Sequence, residues 1–225
     1  MIIGMLIFQD MTQLDFTGPH EVFSRFNGCQ VKVISKTMDP VIARGGLKFI
    51  PDTTIDDPQL YDLIFVPGGP GTSALMEDPQ VLKFLRNQAD QAKYVTSVCT
   101  GALVLGAAGL LQGYRATTHW LSVDLLPIFG AIVTQDRVVF DRNRITGGGV
   151  TAGIDFALTI AAEVFNEDVA KTIQLSIEYD PAPPFAGGHP DTSDVRIVES
   201  VRTKLAPLQA SRLEQAKRAS VLYCQ

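Results

Sequence analysis

The chain has 225 residues, 46% of them hydrophobic and 19% charged, with a net charge of −5 and a pI near 5.2. That much apolar material fills the core of one large α/β domain, and the acidic balance argues against a nucleic-acid or anionic-membrane surface. The longest unbroken apolar run, Gly101 to Leu111, is too short to span a bilayer.

Met1 leads directly into Ile2 to Phe8, a continuous apolar run of the kind found in a central parallel strand covered on both faces, with no basic leader. Gln9 to Asp15 reads as a loop, and a helix is expected from Thr17, with Thr17 as cap, Pro19 in the first turn and Val22, Phe23 and Phe26 on its apolar face. Gln30 to Ser35 is a second strand, Gly45 to Ile50 a turn with a short edge strand, and Pro51 to Gln59 a polar connector. Leu60 to Pro67 is a third long strand that ends in Pro67-Gly-Gly-Pro-Gly71, and Pro79 to Ala92 is an amphipathic helix.

Tyr94 to Val98 is short, β-branched and aromatic, and Thr100 to Leu111 is rich in Ala and Leu, so a buried strand meets a buried helix with no loop between them. Cys99 falls on that corner between small residues, which is a nucleophile-elbow geometry, and the helix N-terminus there favours thiolate. The plainer reading, a buried structural cysteine, suits an isolated Cys better than this context. Gly113 to Thr118 is a strand leading into His119, Trp120 and a short helix to Leu126. Ala131 to Thr134 and Arg137 to Asp141 form a hairpin or edge strands, and Arg144 to Gly149 is a last strand ending in three glycines. Helices follow over Thr151–Phe165, from an Asn166 cap to Tyr179, and over Val195–Leu205, with a weaker Arg/Gln-rich helix from Ala206 after the Pro/Gly-rich loop 180–194.

Strands alternating with helices imply a single-domain α/β sandwich over residues 1–225, a mostly parallel sheet with helices on both faces and a helical extension from about residue 190. Ligands of such sheets bind beyond the carboxyl ends of the strands. Asp15, Gly68-Gly69 and Cys99 all fall there, which suggests one site. Cys29, Cys99 and Cys224 are odd in number and contain no CxxC pair, so neither a zinc site nor a disulfide framework is expected, and a reducing cytoplasm fits best.

The order strand, acid, Val66-Pro-Gly-Gly-Pro-Gly71, then Ser97-Val-Cys-Thr-Gly101 and Ala108-Gly-Leu-Leu111, resembles the ThiJ/PfpI superfamily, whose fold is glutamine-amidotransferase-like. Within it, Leu14-Asp-Phe-Thr-Gly-Pro19, Cys99-Thr-Gly101, Ala116-Thr-Thr-His-Trp120 and Gln174 to Phe185 most resemble the isonitrile (isocyanide) hydratase branch. Thr100 stands where members proposed as proteases carry His. The glyoxalase- and deglycase-like branch uses Glu where this chain has Asp15. Regulators with an appended DNA-binding region are longer.

The resemblance implies addition of water to an isocyanide, giving an N-substituted formamide without a cofactor or metal, by a homodimer whose partner is a small-molecule substrate. Cys99 would be the nucleophile and form a thioimidate. Asp15, with a pKa raised by desolvation and like charge, would exchange protons with sulfur, carbon and water. Gly68 and Gly69 would offer backbone N–H groups to developing charge, and Thr100 would hydrogen-bond the reacting group. Each has a plainer reading as well: Asp15 as a loop acid or cap, the glycines as a turn, Thr100 as a first-turn residue. His119 is expected to line the pocket at most and is left outside the catalytic set. Two other functions stay open: a glyoxalase- or deglycase-like activity on 2-oxoaldehydes, and a non-catalytic ligand or redox sensor built on oxidation of Cys99.

Overall fold

A computed structural model describes residues 1–223. In chain order the elements are β1 (Ile2–Leu6), α1 (Gln13–Phe23), β2 (Gln30–Ser35), β3 (Val41–Ile42), β4 (Lys48–Phe49), β5 (Thr53–Thr54), β6 (Leu63–Val66), α2 (Thr72–Leu75), α3 (Pro79–Ala89), β7 (Tyr94–Val98), α4 (Gly101–Ala107) and β8 (Arg115–Ala116). A 3-10 helix, Trp120–Phe129, then leads to β9 (Ile132–Val133), β10 (Val138–Asp141), β11 (Arg144–Gly147), α5 (Ala152–Val164), α6 (Glu167–Ser176), a 3-10 turn at Pro190–Thr192 and α7 (Val195–Tyr223).

Seven strands form the central sheet in the order β10-β11-β7-β6-β1-β2-β5. All neighbours are parallel except the hairpin β10–β11. Consecutive residues along β1 and β6 are buried, including Leu63, Ile64, Phe65 and Val66, because both faces of the sheet are covered. Phe65 stacks edge-on to Phe23 of α1 at 6.1 Å and lies 5.8 Å from Phe156 of α5, while α3 and α4 also pack on β6. The expected parallel sheet with helices on both faces is thus the observed architecture. Among the described residues, no helix is long and apolar enough to cross a membrane.

Several boundaries differ from the sequence expectation, and two matter for function. Helix α1 starts at Gln13 with Thr12 as its N-cap, so Asp15 lies in the first helical turn rather than in a loop. Pro19 misled the reading: it sits inside the helix and leaves the Asp15 carbonyl without the usual i+4 donor. The C-terminal segment is one helix of 29 residues that runs through Pro207, not two. It packs against the 3-10 helix, α4 and α2. Elsewhere, α4 stops at Ala107 because Gly109 turns into positive φ. The segments 131–134 and 137–141 do not pair with each other: β9 joins β8, and β10 joins β11 as the sheet edge. The expected edge strand at Lys48–Phe49 pairs with Val41–Ile42 in a separate two-stranded hairpin.

Candidate active site

The chain runs outward from β1 to β2 and then crosses back to β6 on the other side of β1, so the strand order reverses between β1 and β6. A crevice opens at such a point, beyond the carboxyl ends of the strands. The segment after β1 enters it first: the Thr12 N–H donates to the Gly68 carbonyl at 2.9 Å, and α1 then carries Asp15 inward. The Asp15 side chain is fully buried, and its Oδ2 accepts from the Gly68 N–H at 3.1 Å. A Cβ on Gly68 would lie 2.7 Å from both Asp15 Oδ2 and Cys99 Cβ, so a side chain at this position would separate carboxyl from thiol.

Cys99 has φ of +51°, a left-handed conformation that a non-glycine residue adopts only when its surroundings enforce it. The enforcing contacts come from three directions. Its N–H donates to the Gly147 and Gly148 carbonyls at 3.0 and 2.9 Å, and its carbonyl accepts from Thr118 Oγ1 at 2.6 Å. Gly101, the first residue of α4, presses against the Val66 carbonyl and would place a Cβ 2.8 Å from the Pro67 carbonyl. The elbow expected from the spacing is therefore present, with the thiol beside the Asp15 carboxyl.

Burial pushes the Asp15 pKa up to about 7, opposed by the neighbouring Cys99 thiol and by the Gly68 N–H, while Oδ1 is buried with no hydrogen-bond partner among the described residues. The Cys99 thiol departs from expectation: burial first, and the Asp15 charge second, push it up, outweighing the Thr100 and Val150 N–H groups that favour thiolate. A seven-residue helix cannot compensate for so dry a site. Both groups are thus pushed toward their neutral, protonated forms.

Thr100 Oγ1 accepts from the Gly69 N–H at 3.0 Å and lies 3.1 Å from the Thr72 hydroxyl, bracing the 67–71 turn against the elbow. The Gly68 and Gly69 amides thus already have acceptors, Asp15 and Thr100. The Thr100 and Val150 amides are the ones directed at sulfur.

A cavity of about 130 Å³ opens onto Cys99, bordered by Thr12, Gly69, Pro70, Thr100, His119, Leu121 and Val150. His119 Nδ1 accepts from the Leu121 N–H, and burial together with the charge of Arg212 lowers its pKa to about 4, so the ring is neutral at pH 7. Leu205, Leu208, Gln209 and Arg212 of α7 close the cavity. Sequence reasoning missed this wall. Its signal is a stripe at helical spacing, Leu205, Leu208, Arg212, Ala216 and Ala219, with one arginine where an apolar residue belongs. Cys29 is half-buried away from the site, and Cys224 lies outside the described residues. Among the described residues, no cluster of three or more His, Cys, Asp or Glu is placed to hold a metal ion.

An α/β sheet with a cysteine elbow and a facing buried carboxyl defines a class, and residues 1–163 match the DJ-1/PfpI family. The chain belongs to that family. Among its relatives, it is 54% identical to the isonitrile hydratase of Pseudomonas putida over 218 residues, 97% of this chain and 96% of the other. It is 30% identical to the glutathione-independent glyoxalase DJR-1.2 of Caenorhabditis elegans, over 68% of this chain and 82% of that one. The crystal structure of a ThiJ/PfpI family protein from Pseudomonas syringae superimposes with a TM-score of 0.93 at 43% identity, covering 96% of this chain and 90% of that one.

Proposed function

We propose that the protein is an isonitrile hydratase, converting R–N≡C and water to R–NH–CHO. Its near full-length similarity to a curated hydratase supports the reaction. The observation that carries the mechanism is the buried Asp15 carboxyl set against the Cys99 thiol. Asp15 as carboxylate takes the thiol proton while sulfur attacks the terminal carbon, and the Thr100 and Val150 N–H groups hold the developing thiolate. The carboxylic acid then delivers that proton to the carbon, leaving a thioimidate, R–N=CH–S–Cys99. Asp15, again ionised, draws a proton from water as it adds to the same carbon. Asp15 passes that proton to nitrogen, and collapse of the tetrahedral adduct expels the Cys99 sulfur, which takes up the hydroxyl proton as the carbonyl forms and the formamide leaves. One carboxyl with a pKa near neutrality can serve as base and acid in turn, and the cycle calls for no cofactor.

The roles of Gly68, Gly69 and Thr100 in this reading are supporting ones: the first positions Asp15, and the other two hold the turn that shapes the cavity. A cytoplasmic homodimer completes the proposal. Exposed Ile42, Leu47 and Ile50 around the β3–β4 hairpin support self-association, and the widely spaced cysteines support a reducing compartment.

The test is to incubate purified protein with p-nitrophenyl isocyanide and, separately, with methylglyoxal, and to identify the products. Formamide from the first, abolished in Cys99→Ala and Cys99→Ser, is expected. Lactate from the second with no formamide from the first would move the protein to the glyoxalase class, and wild-type rates in Cys99→Ala would remove the thioimidate.

A further inference from the structure

Arg212 is a buried cation with no carboxylate paired to it among the described residues. Its side chain is 3% exposed and borders the cavity with Cys99. Its partners are all neutral: Nη1 donates to Ser122 Oγ at 3.2 Å and, with the Gln209 amide oriented to suit its neighbours, to Gln209 Oε1 at 3.1 Å. Nη2 makes a long contact to the Gly69 carbonyl at 3.5 Å. Nε is buried and has no partner among the described residues, so the edge formed by Nε and Nη2, the fork that takes a carboxylate side-on, retains free donors.

A buried guanidinium is kept when something anionic meets it, because desolvating an unpaired charge costs several kcal/mol. The cavity supplies no carboxylate: its lining contains Arg212 and, at the exposed rim, Arg44, but neither Asp nor Glu. His119, on the same wall, is neutral at pH 7. The volume, about 130 Å³, admits a small organic acid.

We propose that the cavity selects isocyanides bearing a carboxylate, which Arg212 grips side-on and Arg44 attracts at the rim, with the isocyanide carbon turned toward Cys99. This rests on the hydratase reading for the reacting group but not for the anion. The enzymatic arm compares kcat/KM for isocyanoacetate with that for its neutral methyl ester. A charge-assisted fork predicts a preference of roughly 10–100-fold for the acid, reduced toward parity in Arg212→Met and partly in Arg44→Ala. The binding arm needs no turnover: calorimetry with N-formylglycine and its methyl ester on Cys99→Ala, with and without Arg212→Met. Tighter binding of the acid that is lost with Arg212 is expected.

Equal treatment of acid and ester by the wild type, in rate and in binding, would overturn the proposal. So would an Arg212→Met variant in which both substrates slow by the same factor, since the guanidinium would then be acting on the Cys99 sulfur. Should Arg212→Met fail to fold by circular dichroism, Arg212→Lys, which keeps the charge but loses the fork, replaces it and must still weaken N-formylglycine binding. Binding of N-formylglycine by a protein that hydrates no isocyanide would retain the anion subsite and dismiss the hydratase.

Discussion

Ionising Asp15 in its native pocket is costly: a pKa of about 7 against an ordinary 3.8 corresponds to roughly 4 kcal/mol relative to the unfolded chain. The sign follows from where the proton sits. Below pH 3.8 the carboxyl is neutral in both states and imposes no penalty. Between 3.8 and 7 the unfolded chain loses its proton while the folded one keeps it, so stability falls as pH rises, and above 7 the full penalty applies. Asp15→Asn, which can still accept from the Gly68 N–H, is therefore expected to melt higher than wild type at pH 8, with the gain vanishing near pH 4; an equal difference at both pH values would show that Asp15 is not the buried acid described. The same variant is expected to lose turnover by about 10²–10⁴-fold, because an amide neither removes the thiol proton nor delivers one to carbon, while Asp15→Glu retains part of the rate. Since the carboxylate must be present at the start, wild-type kcat/KM should climb through pH 7 to a plateau. A flat profile from pH 5 to 9 would move the acid–base role elsewhere. Higher stability together with lost turnover in Asp15→Asn would be a trade between stability and activity at one side chain.

The elbow shows how an element stores that function. Cys99 keeps its positive φ because α4 starts immediately, and α4 can start there because Gly101 lets the helix touch the ends of β6. Gly101→Ala would force a Cβ into the Val66 and Pro67 carbonyls, and backbone atoms cannot rotate away as a side chain can. A loss of about 2 kcal/mol or more is expected in denaturant titration, together with loss of activity; an unchanged midpoint would mean that the elbow tolerates a wider corner than the contacts allow. This corner was legible in the sequence because everything that specifies it is local: a β-branched strand, a run of small residues and an Ala/Leu helix lie within about twenty positions. Asp15 was legible as a residue at a strand end but not as a helical one, because Pro19 resembles a first-turn proline and only packing against α5 shows that the helix began two residues before the acid. Arg212 was not legible as part of the site. The stretch from Ala206 reads as a separate, weaker helix, and nothing local reveals that a helix more than a hundred residues after Cys99 closes the same cavity.

At the scale of the molecule, the site is assembled from two stretches far apart in the chain. The stretch that matches the family, residues 1–163, contains every strand among the described residues and carries both Asp15 and Cys99. The roof comes from α7, which is anchored by buried Ala216 and Ala219 and by an exposed Arg218–Glu77 ion pair to the turn after α2. The cover over Cys99 therefore comes partly from a segment outside the matched stretch. Leu205 and Leu208 are half-buried roof residues, so Leu205→Ala with Leu208→Ala opens the cavity while leaving the Ala216 and Ala219 anchor and the sheet intact. Water reaching Cys99 would bring its thiol down toward the free value near 8.5, and each unit of that fall raises the thiolate fraction at fixed pH tenfold. Iodoacetamide should accordingly alkylate Cys99 at pH 7.5 at least about tenfold faster in the double variant than in wild type, read by peptide mapping so that Cys29 serves as an internal reference. Isocyanide turnover should fall in the same preparation, since the pair loses the medium that lets Asp15 hold and release a proton near neutrality. An unchanged Cys99 alkylation rate in a variant with its native circular dichroism spectrum would mean that the core alone keeps the site dry, and that α7 contributes its arginine but not its cover.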